Sequence, residues 1–471
     1  MRQRHLIIAH SVFVLLICGA AVQAAEDLVL PRPETRQGLL SVVPGHSRYF
    51  VDRHGQPVYL SGSHTHCSLQ HREGEPPLPF ESLLAILLKH GHNFTKLWRH
   101  EDTEFTPQPF RRVGAQLGLD GRPKFDLTKW NDQYFDELRS RVMAAEAHGI
   151  YISIMLFNGF SVESKQPGRD VWSRHPFNRH NNINGLDGDL DGDGEGTELH
   201  TLRNPAITAI HEAYVRRVID VVSDLDNVFF EISNEDTGSA DNTAWQYHLI
   251  DYIHHYERTK SKQHLVGMAV QWPNGNNQVL YDSPADWISP NANEGYQTDP
   301  PALASGKVIL NDTDHLWGNG GSAEWVWKSF TRGLNPIFMD VTPPLSNRYS
   351  LLQAEEIRQA LGETRALAQR IDLARAQPRT RHCSTSFCLV NPGREYLAYL
   401  PPTRWCAIPL LGRLYKCRIT LDLSDAAGQF AGEWFNTRTR ATRSISAITG
   451  GTKHTFIPPF GDASVLYLSA L

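Results

Sequence analysis

A chain of 471 residues leaves room for one large domain and a smaller one, or for three modest ones. Its 41% hydrophobic, 10% aromatic and 21% charged residues exclude a disordered or collagen-like chain. With 46 basic against 51 acidic residues the formal charge is −5, and no Lys/Arg block runs along the chain, which argues against a nucleic-acid partner held by phosphate neutralisation.

At the N-terminus, Arg2 and Arg4 precede an apolar run from Val12 to Val22 that is too short to span a bilayer. Val22-Gln23-Ala24 follows, so residues 1–24 read as a secretory signal peptide cut after Ala24. Cleavage removes two arginines and no acid, leaving a more acidic mature protein that is expected to be secreted or periplasmic, with no membrane partner. Of the six cysteines, Cys18 leaves with the signal, Cys67 stands alone, and Cys383, Cys388, Cys406 and Cys417 cluster near the C-terminus. In an oxidising compartment those four can form two disulfides. Of the three connectivities that four cysteines allow, Cys383–Cys388 with Cys406–Cys417 is favoured. Neither pair has the short C-x-x-C spacing of a zinc site.

Residues Arg48 to Leu60 read as two short strands around the His54-Gly55 turn. From there apolar, β-branched runs recur at Pro57–Gly62, Asn93–Trp98, Tyr151–Phe157, Val228–Ser233, Leu265–Val270, Trp287–Ser289, Lys307–Leu310 and Pro336–Met339. Helical periodicity separates them, clearest over Asn131–His148, Ala206–Leu225, Thr243–Tyr256 and Leu351–Ala376. Each parallel strand pair needs a crossover, and eight strand–helix alternations match the closed (β/α)8 TIM barrel, here residues 25–377. Beyond Gln377 the pattern changes to short strands at Phe387–Val390, Glu395–Leu400, Cys417–Leu423, Phe430–Asn436, Lys453–Ile457 and Ser464–Leu468. Residues 378–471 are therefore expected to form a β-sandwich, with Trp434 and Tyr467 in its core.

A TIM-barrel site is built at the C-terminal strand ends. In this chain those ends are polar: His64, Arg99 and Glu101, Asn158, Asn234-Glu235, Gln271-Trp272, Asn291 and Asn293, Asp312 to His315, and Asp340. In Phe229–Glu235 the two-residue period puts Glu231, Ser233 and Glu235 on one face, so Glu235 points into the barrel mouth and Glu231 is expected in a buried ion pair. Glycoside hydrolysis needs one carboxylic acid to protonate the leaving oxygen and a second carboxylate to attack the anomeric carbon or activate water. Glu235 and Asp312 are the candidate pair.

Glu231–Glu235 resembles the Asn-Glu signature of clan A glycoside hydrolases. Tyr59–His64, His92–Arg99, Asp312–Trp317 and Trp325–Phe330 resemble the apiosidase-like, cellulase-like barrels of secreted bacterial proteins. Cys388–Pro401, Glu433–Asn436 and Pro458–Asp462 are similar to the small β domain, named for collagen binding, that often follows such barrels. The resemblance implies a secreted enzyme that cleaves a plant or microbial polysaccharide, with retention of configuration and no catalytic cofactor. Glu235 would be the acid/base and Asp312 the nucleophile, with Asp314 the alternative second carboxylate. Arg99 and Asn234 would hold the sugar and the nucleophile, and His64, Asn158, Trp272, Asp314 and His315 would line subsites. One departure stands out: clan A carries a Glu after strand seven, where this chain has only Asp, one methylene shorter. A glycan-binding barrel without catalysis is the rival expectation.

Finally, Asp187, Asp189, Asp191, Asp193 and Glu198, with Gly192 at the sixth position, follow the spacing of an EF-hand calcium loop. The preceding residues are not helical, so the expectation is a lone structural calcium loop after strand three.

Overall fold

The structure is a computed structural model that describes residues 38–43, 48–166, 168–302, 306–340, 351–402 and 417–471. The expected signal peptide lies outside the described residues.

Eight parallel strands close the barrel. They are β1 (Gly62–His64), β2 (Phe94–Leu97), β3 (Tyr151–Asn158), β4 (Val228–Asn234), β5 (Leu265–Ala269), β6 (Trp287–Ser289), β7 (Val308–Asp312) and β8 (Asn335–Met339). Each pairs with its neighbour in sequence, and β8 returns to β1 through Ile337–Gly62, Phe338–Ser63 and Met339–His64. All residues of β3 and β4 are buried, as expected for parallel strands covered on both faces.

The first apolar run divides. Pro57–Val58 pairs antiparallel with Phe50–Val51 as a lead-in hairpin, and the barrel strand begins only at Gly62. A Cβ on Gly62 would stand 1.9 Å from the Phe94 carbonyl oxygen, so the residue that lets β1 meet β2 carries no apolar signal.

The outer helices are α1 (Phe80–Lys89), α2 (Asp132–Glu146), α3 (Pro205–Val222), α4 (Ala240–Glu257), α5 (Asn277–Asp282), α6 (Ala323–Thr331) and α7 (Leu351–Ala368). Side-chain caps start several of them: Asn204 accepts from Ala206 N–H, Ser239 from Asn242 N–H and Ser322 from Trp325 N–H. The expected extension of α7 to Ala376 is instead a series of turns that still buries Ile371, Leu373 and Ala376, so apolar periodicity outlasts the helix. No helix among the described residues is long and apolar enough to cross a membrane.

The C-terminal β domain is built from β9 (Gln377–Pro378), β10 (Cys388–Asn391), β11 (Glu395–Leu400), β12 (Ile419–Asp422), β13 (Gln429–Asn436), β14 (Thr442–Thr449), β15 (Lys453–Phe456) and β16 (Ser464–Ala470). Six of these form one antiparallel sheet in the order β9-β10-β11-β16-β13-β14, and β12 pairs with β15. Val390, Tyr396, Ile419, Leu421, Phe430, Trp434 and Leu468 fill one buried cluster. The opposite face of the large sheet does not meet water: Leu397, Tyr399, Phe435 and Val465 join the barrel's own core, where Trp327 of α6 stacks on Tyr399 at 5.9 Å between centroids. Tyr467 belongs to this junction and not to the sandwich core, and its hydroxyl donates to Glu395 at 2.9 Å. Cys383 and Cys388 form a disulfide. The expected partner of Cys417, Cys406, lies outside the described residues.

Candidate active site

A cavity of about 1210 Å³ opens at the C-terminal end of the barrel. Asn158, Asn234, Glu235, Trp272, Asp314 and His315 line it; Asp312, His64 and Arg99 do not.

Glu235 follows directly on β4 and has φ +48°, a left-handed backbone that a non-glycine residue holds only where its surroundings enforce it. Several contacts do so. The Lys165 ammonium donates to the carbonyls of Glu235 and Trp272. Trp272 N–H donates to the Asp236 carbonyl at 2.7 Å. Asp236 is fixed by His200 Nδ1, also at 2.7 Å. Gly159 gives the backbone room, since a Cβ there would stand 2.4 Å from the Glu235 carbonyl oxygen. Burial raises the Glu235 carboxyl to about 7, with Lys165 and Lys96 opposing and the Asp312 charge adding to the rise.

One layer below lies a charge network. Lys96 of β2 sits 3.1 Å from a carboxylate oxygen of both Glu231 and Asp312. Trp98 Nε1 donates to His64 Nδ1 at 2.8 Å, which leaves the ring proton on Nε2 to reach Asp312 at 3.0 Å. Burial alone would raise the Asp312 carboxyl, but His64 and Lys96 together hold it well below the ordinary carboxylate range. Two residues on, Asp314 begins a helical turn and reaches the cavity wall. Burial, then the neighbouring Glu235 and Asp312 charges, push its carboxyl well above the ordinary value, and its Oδ2 has no hydrogen-bond partner among the described residues. Asn234 accepts from His315 Nε2 at 3.1 Å, while its own Nδ2 has no protein acceptor among the described residues. His315 also contacts Ser289 Oγ at 2.7 Å, and burial lowers its imidazole to about 3, so the ring is neutral. Trp272 is 42% exposed and lies parallel to Phe160, 6.0 Å between centroids.

Arg99 departs from its expected place at the sugar. Its guanidinium sits 4.0 Å from the Tyr214 ring centroid and 3.2 Å from Glu101, inside the wall between β2 and α3. Glu101 in turn lies 3.3 Å from His200, whose imidazole is raised to about 9: burial opposes the charge, and Asp236 and Glu101 outweigh it. His64 likewise belongs beneath the cavity and not to a subsite. Lys96 is the ion-pair partner expected for Glu231. Its signal was a lysine inside the apolar run Asn93–Trp98, where a cation is tolerated only against buried acids. Lys165 and His200 lie in long connections, 35 residues apart, with no periodicity to mark them.

In the calcium-like loop, Asp189, Asp191 and Glu198 offer oxygens within 4.8 Å of one another. Asp187 instead faces Arg179 at 3.5 Å, and Asp193 accepts the Glu195 N–H. Three oxygens of the five expected residues thus converge, a hard donor set suited to calcium.

The family model described as a domain of unknown function, DUF6298, matches residues 96–283. No curated protein sequence matches the chain significantly. A solved structure described as a glycoside hydrolase is 13% identical, covers 92% of this chain and 97% of its own, and superposes with a TM-score of 0.57. A glycoside hydrolase family 5 protein from Bacteroides vulgatus ATCC 8482 is 12% identical over 94% of both chains, with a TM-score of 0.61. The likeness is one of fold: this chain has the barrel of family 5-like glycoside hydrolases, followed by a C-terminal β domain.

Proposed function

We propose that the protein is a secreted or periplasmic glycoside hydrolase that cleaves a plant or microbial polysaccharide through two carboxyl groups. One observation carries this reading: Glu235 and Asp314, from the ends of β4 and β7, border one cavity, and both carboxyls are raised by burial, Asp314 also by the Glu235 charge. Two carboxyls with raised values on one cavity resist double ionisation, so a singly protonated state supplies one acid and one base. Glu235 is assigned proton donation to the leaving oxygen, in keeping with its place after Asn234. The second carboxylate was expected at Asp312. That side chain is ionised but saturated by His64 and Lys96, so the carboxylate that meets the sugar is assigned to Asp314, with Asp312 as the fixed anion beneath it. Asn234 Nδ2 and the Trp272–Phe160 platform are suited to a sugar hydroxyl and a ring face. The acidic loop after β3 is proposed as the seat of a structural calcium ion.

The test is hydrolysis of a panel of plant and bacterial polysaccharides. Glu235→Gln and Asp314→Asn should each lower kcat by about 10²–10⁴-fold, the usual share of acid–base catalysis. An Asp314→Asn enzyme as active as the parent, with Asp312→Asn inactive, would return the second role to Asp312. Retention of the anomeric configuration, followed by NMR of the first product, is the expected stereochemistry. The replacement of the strand-seven Glu favours the rival reading of a binding barrel, for which tight glycan binding without turnover would be decisive.

A further inference from the structure

Away from the carboxyl pair, the same cavity carries a wall of three guanidinium groups. Arg72 stands on the short ribbon His71–Arg72, paired antiparallel with Phe105–Thr106; Arg169 and Arg174 come from the connection after β3. All three converge on the single carboxylate of Glu104, at 2.9 Å from Arg72, 3.3 Å from Arg169 and 3.2 Å from Arg174. Asp102 lies below, fully buried and 3.7 Å from Arg169, and burial raises its carboxyl. Asp170 also borders the cavity and accepts the Ser173 N–H. The wall therefore sets three cations against the part-buried Glu104 and the exposed Asp170, with Asp102 enclosed behind them, in a chain whose formal charge is negative. A guanidinium has five N–H donors. Among the described residues the bonds and ion pairs of these three go to Glu104 and Asp102, so most of their N–H groups have no protein acceptor.

A line of rings joins this wall to the carboxyl end of the cavity. Trp98 bonds to His64 beside Asp312 and stacks on His100 at 6.2 Å between centroids. His100 lies flat on Phe105 at 3.6 Å, and Arg72 sits 5.7 Å from the centroid of that ring. These three rings are largely buried and form cavity lining between the two ends, so a sugar chain lying over them from Glu235 would bring a substituent to the guanidinium groups.

We infer that this wall is a subsite for an anionic sugar residue, one bearing a carboxylate or a sulfate, and that the polymer recognised is an acidic polysaccharide. Planar, multi-donor recognition of a carboxylate or sulfate is what an arginine cluster supplies and a neutral hydroxyl does not require. The inference rests on the hydrolase reading only for turnover; binding stands apart from it.

The experiment is affinity electrophoresis of Glu235→Gln, which binds without cleaving, through gels containing polygalacturonate, alginate, sulfated dextran, or the neutral polymers xylan and galactomannan. At least one acidic polymer should retard the protein more than either neutral one, and the two uronate gels against the sulfated gel tell carboxylate from sulfate. Adding Arg72→Gln and Arg174→Gln together should weaken that binding by about tenfold or more while the melting temperature holds. If the double change unfolds the protein, Arg174→Gln alone and loss of retardation with added salt in the unchanged wall carry the test. No retardation by any acidic polymer, or equal retardation by neutral ones, overturns the inference and leaves hydrolysis of neutral glycans by the unmutated protein standing.

Discussion

Lys96→Met removes the one cation that two buried carboxylates share. Lys96, Glu231 and Asp312 are all nearly inaccessible, with Lys96 at 3.1 Å from each acid, so solvent screens the interaction little. Breaking a buried pair from one side costs about 3–5 kcal/mol, because the surviving charge stays desolvated. At about 1 °C per kcal/mol, the per-residue unfolding entropy scaled to a chain of this size, the melting midpoint at neutral pH should fall by roughly 3–5 °C. The pH dependence identifies the cause. In the parent, Asp312 is held below its ordinary value, so its stabilisation is present at any pH above that value and is lost only as acid approaches the depressed one. In the variant the Glu231 carboxyl, already raised by burial, loses the Lys96 charge that opposes the rise and goes higher, while His64 still holds Asp312 down. The Glu231 contribution is full at low pH and lost as pH rises through the raised value. Going from about pH 7.5 to about pH 5.5 should therefore return roughly 2–3 kcal/mol to the variant, at 1.4 kcal/mol per pH unit for one retained proton. Calorimetric melts of both proteins at the two pH values measure this. A gap below about 1 kcal/mol, or the same gap at both pH values, would refute the account of Lys96 as the charge that holds this layer.

Two further outcomes follow from the site. Activity that needs protonated Glu235 should fall as pH rises through about 7; Lys165→Met removes a charge that lowers that value, so the falling limb should move to higher pH while kcat drops with the loosened Glu235 backbone. A limb that stays in place would show that Lys165 has no electrostatic hold on the acid. Calcium added to chelator-stripped protein should release heat and raise the melting temperature, and Asp189→Asn with Glu198→Gln should abolish both effects. Silence in calorimetry would leave the loop a solvated acidic turn.

Seven of the barrel strands could be read from the chain because a strand covered on both faces must be apolar along its length. β1 hid because Ser61, Gly62 and Ser63 trade apolar bulk for close approach to β2, while the greasier Tyr59 and Leu60 lie before the barrel strand. β14 was missed for the opposite reason: most of its residues face solvent, so it carries little apolar signal. At the mouth, strand parity was enough to aim Glu235 and to expect an ion pair for Glu231. It could not decide between Asp312, which ends β7, and Asp314, which the chain carries past the strand into a helical turn. Arg99 was misplaced because a strand-end arginine next to Glu101 reads equally as a sugar contact or as a buried bracket, and the rings of Phe157 and Tyr214 that settle it lie far along the chain.

The stacking of Trp327 on Tyr399 and its tilted contact with Phe435 make the β domain part of the barrel's own wall, with one continuous core across the junction. Arg440 reaches back to the buried Glu363 of α7 at 3.0 Å, and Arg370 pairs with Glu433 on the same side. A domain held in this way does not swing on a tether, as carbohydrate-binding modules on flexible linkers do. The shared core holds it at one fixed distance and angle from the barrel mouth. Severing the chain near Gln377 would expose the apolar faces of both halves and yield two insoluble fragments in place of a free barrel and an appendage.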